Sequence, residues 1–124
     1  MQTTVRLKPE ISNLLRDLPP LAGEEIFEIL LSCRNLKIER ISSPANTRSE
    51  LFIQEQDEWV ALLQGEAEMR VDHSTVHLQA GDFLSIPAQT PHQVLTTSSE
   101  PLCVWLAIHL FPAGLDRRQS NQPS

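Results

Sequence analysis

Between Leu36 and Leu110 the chain is a succession of short apolar runs separated by turn residues, and this pattern most limits its possible folds. The first run, LKIERIS, alternates apolar and charged side chains with the period of a half-buried strand. The later runs are equally short and are divided by glycine, proline, serine and aspartate. Many short strands with regular turn signals are typical of an all-β sandwich or barrel. We therefore predict one all-β domain.

The residues that precede these runs show a different spacing, which predicts helix. Four apolar side chains recur at i, i+3, i+4 and i+7 ahead of two prolines: Ile11, Leu14, Leu15 and Leu18. A second segment, GEEIFEILLSCRN, begins with acidic residues, which favour the first turn of a helix. We predict a short N-terminal helical extension over residues 1–35, the β-domain over residues 36–111 and a flexible polar tail over residues 112–124.

The chain has 124 residues and a formal net charge of −6, with no run of lysine and arginine. Nucleic acids and anionic membranes attract clustered positive charge, so we expect neither as a partner. The N-terminus lacks a basic region followed by an apolar core, and no apolar stretch is long enough to span a bilayer. We expect a cytoplasmic protein, in which Cys33 and Cys103 are free thiols.

One stretch, GDFLSIPAQTPHQV, combines a glycine turn, two prolines and a histidine in the spacing G-x5-P-x4-H. Gly81 is expected to supply the positive φ of a tight turn. Pro87 and Pro91 each fix φ and bias the preceding residue toward extended geometry. His92 therefore enters the next strand in a defined direction, which is the preorganisation that a metal ligand needs.

Upstream, Glu58 and Gly65 form a second spacing, E-x6-G, and the two motifs together resemble those of the cupin family. The resemblance covers Ile38 to Leu110 and extends to small single-domain bacterial cupins with DEWV at the first motif and counterparts of VWLAIH in the last strand. It implies a cupin-type jelly-roll β-barrel over residues 36–111. Cupins include dioxygenases, isomerases, decarboxylases, sugar-binding domains and storage proteins, so the resemblance implies a fold and not a reaction.

The first motif departs from the family pattern at the metal ligands. Most metal-binding cupins carry two histidines ahead of the glutamate, whereas this chain reads LFIQEQD before Glu58. The resemblance therefore leaves Gln54, Glu58 and His92 as candidate metal ligands for a weakly bound Mn, Fe, Ni or Zn ion. In the alternative, Glu58 and His92 form a metal-free polar pair inside the barrel. With Gln56 added, the same residues are the candidate ligand-binding residues.

Two functions follow from these alternatives. In the first, the domain is not an enzyme and binds a small molecule in a polar pocket around Glu58 and His92. In the second, it is a metal-dependent cupin enzyme of the dioxygenase, isomerase or lyase type. The missing histidines favour the binding domain, but the sequence leaves open whether the protein is an enzyme and assigns no catalytic residue.

The remaining histidines and the most apolar runs have simpler interpretations. His73 and His77 lie in a predicted hairpin and are expected at the surface. His109, near the end of the last strand, could reach the mouth of a barrel as a third metal ligand, but we expect it at the surface. The runs EWVALLQ and LCVWLAIHL are apolar on both faces, so both faces should be covered. A symmetric partner would supply part of this cover, and we expect a homodimer.

Overall fold

The computed structural model describes residues 9–112, which form eight β-strands arranged in two sheets. The strands in chain order are β1 (Ile26–Cys33), β2 (Leu36–Ser43), β3 (Asp57–Gln64), β4 (Glu66–Val71), β5 (Ser74–Gln79), β6 (Phe83–Ile86), β7 (His92–Thr97) and β8 (Cys103–Leu110). One sheet has the order β1-β2-β8-β3-β6 and the other the order β5-β4-β7. All their pairings are antiparallel. The prediction of an all-β jelly-roll barrel is confirmed.

The core lies between the two sheets and comes from alternate residues of the strands. In β3, Val60 and Leu62 are buried on the inner face, as the period of two predicts. Strand β8 lies in the middle of the larger sheet, and most of its residues are buried or half-buried, which explains its apolar sequence. The largest apolar side chains of the core are Ile41, Val60, Leu62, Met69, Leu78, Ile86, Val94 and Trp105.

The predicted N-terminal helices are wrong for the part of residues 1–35 that the structure describes, which begins at residue 9. The first segment forms only turns and bends between Leu14 and Asp17. The second forms β1, which pairs with β2 through a turn that has Arg34 at a φ of 53°. The apolar run IFEILL is compatible with either structure. Pairing with β2 decides the outcome, because it satisfies the backbone polar groups along one side of the run.

Arg40, on the outer face of β2, holds the N-terminal segment against the larger sheet. Its guanidinium donates two hydrogen bonds to the Glu28 carboxylate, at 2.8 and 3.0 Å. It also donates to three backbone carbonyls at 2.8 to 3.3 Å, those of Leu14, Arg16 and Asp17. Where the sequence predicted a helix, an irregular segment is therefore held against the barrel by the hydrogen bonds of a single arginine.

Two glycines between strands have positive φ. Gly81, between β5 and β6, has a φ of 97°, which confirms its predicted role in a tight turn. Gly65, between β3 and β4, has a φ of 92°, and a Cβ there would lie 2.8 Å from both Cys103 Sγ and Ser98 Oγ. Only glycine therefore fits where the chain crosses from the larger sheet to the smaller one.

The sequence predictions for the termini, the cysteines and the membrane have different outcomes. Apart from Pro112, the flexible tail predicted over residues 112–124 lies outside the described residues. Cys33 is exposed and Cys103 is buried, and neither forms a disulfide. Within residues 9–112, no helix is long and apolar enough to cross a membrane.

Candidate functional site

Glu58 and His92 extend into the barrel from opposite sheets and meet inside it. Glu58 follows the inward alternation of β3, and His92 is the first residue of β7 in the smaller sheet. Their side chains are 2% and 3% exposed, and Glu58 Oε1 lies 3.4 Å from His92 Nε2. Neither of these two atoms has a hydrogen-bond partner in the part of the chain that the structure describes. The two residues that the motifs single out therefore form one buried polar pair.

Backbone contacts fix the direction of His92, as the prolines before it predict. The His92 N–H donates to the Phe52 carbonyl at 2.9 Å, and the Phe52 N–H donates to the His92 carbonyl at 2.8 Å. In the preceding loop, the Thr90 N–H donates to the Pro87 carbonyl at 3.2 Å. His92 Nδ1 lies 3.0 Å from the Thr90 carbonyl oxygen. Because a carbonyl only accepts hydrogen bonds, Nδ1 carries a proton.

This tautomer leaves His92 Nε2 facing a carboxylate oxygen. In an uncharged imidazole, Nε2 would be a bare acceptor against Glu58 Oε1, with no hydrogen between the two atoms. Burial lowers the pKa of His92, but the Glu58 carboxylate and the Thr90 carbonyl together outweigh burial and raise that pKa above its usual value near 6.5. The pair therefore requires either a proton on Nε2 or a donor group from a bound molecule.

A small cavity adjoins the pair inside the barrel. Its volume is about 20 Å³, which is enough for one water-sized group. Its polar lining comes from Glu25, Ser49, Glu58 and His92. Its apolar lining comes from Ile41, Phe52, Val60, Met69, Val94 and Trp105. The carboxyl groups of two glutamates and the imidazole of one histidine therefore share a space with mostly apolar walls, as is common in ligand sites.

The two candidate glutamines are buried but do not line this cavity. The side-chain Nε2 of Gln56 donates to His109 Nδ1 at 3.2 Å. The backbone carbonyl of Gln54 accepts a hydrogen bond from the backbone N–H of Gln89 at 2.7 Å. Their roles as ligand-binding residues, and that of Gln54 as a metal ligand, stay predictions. Within residues 9–112, no group of three or more histidine, cysteine, aspartate or glutamate side chains could hold a metal ion.

Glu25 is a second carboxyl group at the cavity, and its position there was not predicted from the sequence. Ser43 Oγ donates to Glu25 Oε2 at 2.5 Å and accepts from Trp105 Nε1 at 3.0 Å. Burial raises the pKa of Glu25, and the hydrogen bond from Ser43 offsets only part of this rise. Glu25 reaches Ser43 because β1 pairs with β2, with Ile26 opposite Ser42. No local spacing in the sequence indicates this contact, since it depends on the strand that was predicted as a helix.

An open groove lies outside the cavity, between the segment before β1 and the loop after β2. Its volume is about 650 Å³, and it shares Glu25, Ser49 and Phe52 with the cavity. Its charged lining residues are Glu24, Glu25, Arg48 and Glu50. The site therefore has a narrow inner cavity that adjoins a much wider outer groove.

His109 corrects one expectation of the sequence analysis, because it is fully buried and not at the surface. Its Nε2 donates to Glu39 Oε1 at 2.9 Å, and its ring stacks on Phe111 with centroids 6.2 Å apart. The expectation failed because β8 lies between β2 and β3, so even the last residues of this strand have neighbours on both sides. His73 and His77 have 97% and 51% exposed side chains, which confirms their predicted surface positions.

The family profile of the cupin domain matches residues 41–109, which is more than half of the chain. The chain belongs to the cupin family. This cupin is similar to a crystal structure from Ralstonia eutropha JMP134 that is named, provisionally, as a mannose-6-phosphate isomerase. The two are 37% identical over 84% of this chain and 100% of that chain, with a TM-score of 0.74. Among curated proteins, none matches this cupin.

Two further solved structures resemble this cupin at lower identity. A cupin superfamily protein from Desulfitobacterium hafniense DCB-2 is 20% identical, with 86% of this chain and 95% of that chain covered and a TM-score of 0.73. KdgF from Halomonas sp. is 16% identical, with 82% and 93% covered and a TM-score of 0.67. At these identities the likeness extends to the fold alone.

Proposed function

We propose that this cupin is a cytoplasmic small-molecule-binding domain, with Glu58 and His92 as the groups that contact the ligand. The observation that carries the proposal is the pair of buried atoms, Glu58 Oε1 and His92 Nε2, that face each other at 3.4 Å without a hydrogen bond. A buried polar atom without a partner costs about 1–3 kcal/mol. A ligand that donates a hydrogen bond to each atom would remove this cost, so binding at the pair would be favourable.

The shape of the site suits a ligand of which one end enters the cavity while the rest lies in the groove. The cavity of about 20 Å³ has room for one small polar group beside the pair. The groove of about 650 Å³ is large enough for the rest of a small molecule, and Glu25 borders both spaces.

A thermal-shift screen of untagged protein against a panel of small metabolites tests this proposal, with His92→Gln as the site variant. The matched control is His73→Gln, because His73 has a 97% exposed side chain whose ion-pair contact is with the exposed Asp72. We expect at least one compound to raise the melting temperature of the wild type and of His73→Gln but not of His92→Gln. A shift that survives in His92→Gln, or no shift with any compound, would contradict the proposal.

The second candidate function is a metal-dependent cupin enzyme, and the name of the Ralstonia eutropha relative favours it. Glu58 and His92 would hold the ion, which would supply Lewis-acid chemistry, and Gln54 would be the third ligand. This donor set does not fit a tightly bound transition metal, because one imidazole and two carboxyl groups line the cavity and, within residues 9–112, no three such side chains are grouped closely enough to hold an ion. Near-stoichiometric Mn, Fe, Ni or Zn in untagged protein, lost in His92→Ala, would support the enzyme over the metal-free domain.

We also propose that the protein is a homodimer. Strand β1 forms one edge of the larger sheet, and it carries three consecutive exposed apolar side chains, Ile29, Leu30 and Leu31. An edge strand with exposed apolar residues is suited to pairing with another strand. The β1 strand of a second copy would suit this role, because in a twofold-symmetric dimer the same surface of each subunit contacts the other.

A further inference from the structure

The side chains around the cavity and the groove carry mostly negative charge. Glu25 and Glu58 line the cavity, and the groove adds Glu24 and Glu50. Arg48 is the one arginine that lines either space in the described part of the chain, and no lysine does. Four carboxyl groups therefore face one guanidinium, which attracts a cationic ligand and repels an anionic one.

This charge distribution is unsuited to a phosphorylated ligand. Proteins bind phosphate through clustered arginine and lysine side chains or through rows of backbone N–H groups. Arg48 lies in the wide groove, whereas the buried atoms without partners belong to Glu58 and His92 in the cavity. A phosphate directed at the cavity would meet two glutamates, and among the described residues no arginine or lysine lines the cavity.

The two buried atoms at the cavity that lack a partner are both hydrogen-bond acceptors, so they suit a ligand group that donates hydrogen bonds. Glu58 Oε1 only accepts hydrogen bonds, and with Nδ1 protonated the uncharged His92 also accepts at Nε2. A primary ammonium has three N–H donors and no acceptor, so it can donate to both atoms at once. A hydroxyl group has a single donor and would leave one of the two atoms without a partner.

The cavity volume sets the size of that donor group. A space of about 20 Å³ holds about one water-sized group, and an ammonium at the end of an aliphatic chain is of this size. A trimethylammonium group is several times larger and would be excluded. The chain that carries the ammonium would pass Glu25 into the wider groove.

We infer that the ligand of this cupin is a small aliphatic primary amine, whose ammonium group enters the cavity between Glu58 and His92 and whose specificity is determined by Glu25. This inference rests on the proposed function, since it names the class of ligand that the same site takes. Glu25 lines both the cavity and the groove, and it carries the one charged side chain among the three described residues, with Ser49 and Phe52, that line both spaces. Its carboxylate is held by Ser43, so its charge is fixed in place before a ligand arrives.

The electrostatic environment of Glu25 agrees with a cationic partner. Burial raises the pKa of this carboxyl group, so its ionised form lacks full compensation from the protein alone. Trp105 and Ser43 direct one hydrogen-bond chain at it, and neither carries a positive charge. An ammonium nearby would supply the missing compensation, which makes the interaction stronger than at an exposed carboxylate.

Three probes test the inference by calorimetry at neutral pH: diaminobutane, its uncharged counterpart of matched size butanediol, and the larger anion mannose-6-phosphate. The imidazole signals of His92 are followed by NMR in the same titrations. We expect diaminobutane to bind and to shift these signals, and Glu25→Gln to weaken it about tenfold. Glu68→Gln, on the exposed face of β4, is the control and should change its affinity by less than about twofold.

The outcomes separate the ligand class from the proposed function. If butanediol or mannose-6-phosphate binds more tightly than diaminobutane and shifts the His92 signals, the amine is wrong but the binding site stands. If Glu25→Gln binds diaminobutane as tightly as the wild type, the role of Glu25 is wrong. If none of the three probes shifts the His92 signals, the inference is contradicted, whereas the proposed function is decided by the thermal-shift screen of the wider panel.

Discussion

Glu58 and His109 occupy directly opposed positions on β3 and β8, yet their side chains pair with different partners. His109 Nδ1 accepts a hydrogen bond from Gln56 and its Nε2 donates to Glu39, so both ring nitrogens are satisfied with the imidazole uncharged. His92 has the other tautomer, and its Nε2 faces Glu58 without a hydrogen bond. The barrel thus contains one completed carboxylate–imidazole pair and one that a ligand could complete.

The completed pair should contribute to stability. His109→Ala would leave Glu39 buried, with Lys37 Nζ as its nearest cation at 3.9 Å. Leaving a buried polar group without its hydrogen bond costs about 1–3 kcal/mol, with charged groups at the upper end, so we expect the free energy of unfolding in urea to fall by about 3 kcal/mol. His73→Ala, at an exposed position, should change it by less than about 0.5 kcal/mol. Similar values for the two variants would show that the Glu39–His109 pair is not structural.

The incomplete pair should make stability depend on pH. Because the pKa of His92 is raised in the folded state, protonation of His92 favours folding. Its contribution to the free energy of unfolding is complete below about pH 6.5 and is lost as the pH rises through the pKa of the folded state. We expect the difference in unfolding free energy between wild type and His92→Gln to shrink from acidic to alkaline pH. In an NMR titration, Glu58→Gln should lower the pKa of His92, because burial lowers this pKa and the Glu58 carboxylate that raises it is removed. An unchanged pKa would contradict the role of Glu58.

Gly65 and Gly81 should differ in their tolerance of alanine, although both have positive φ. At Gly81 nothing lies within 4 Å of an added Cβ, so Gly81→Ala should cost only the backbone strain, about 1–2 kcal/mol. At Gly65 the Cβ would also crowd Cys103 and Ser98, and overpacking adds about 1–3 kcal/mol. Chemical denaturation of the two variants measures the difference. Equal costs would mean that the chain can relax around Gly65.

Arg40 should control the order of the N-terminal segment. Lysine cannot form the two parallel hydrogen bonds to Glu28 while also reaching the carbonyls of Leu14 and Arg16. We expect Arg40→Lys to lose about 2 kcal/mol of stability and to speed hydrogen exchange at the amides near these carbonyls. Arg70→Lys, on the exposed side of β4, is the matched control. Unchanged exchange in Arg40→Lys would mean that other contacts hold the segment.

The strands of the barrel could be predicted from the sequence because the signals for them lie in residues that are close together along the chain. The period of two in β3 places Glu58 on the inner face with Val60 and Leu62, and the structure confirms that alternation. The stiff loop before His92 likewise predicts that its side chain points inward, because the prolines restrict the backbone.

The features that the sequence did not predict depend on contacts between distant parts of the chain. Residues 26–31 have a pattern that suits a helix or a strand, and only β2 selects the strand. Glu25 therefore could not be recognised as a cavity residue, since its contact with Ser43 requires that pairing. The burial of His109 depends in the same way on the neighbours of β8, which no local spacing identifies.

The edge of β1 should be the contact between two copies of the protein. In the described residues β1 pairs only with β2, so the backbone groups of its other side are available to a second strand. Light scattering after gel filtration should give twice the mass of one chain for the wild type, and one chain mass for Leu30→Lys, because a lysine opposes burial of this edge. Ile11→Lys, at an exposed residue outside the sheets, should remain dimeric. A monomeric wild type would contradict the homodimer, and a dimeric Leu30→Lys would place the contact on another surface.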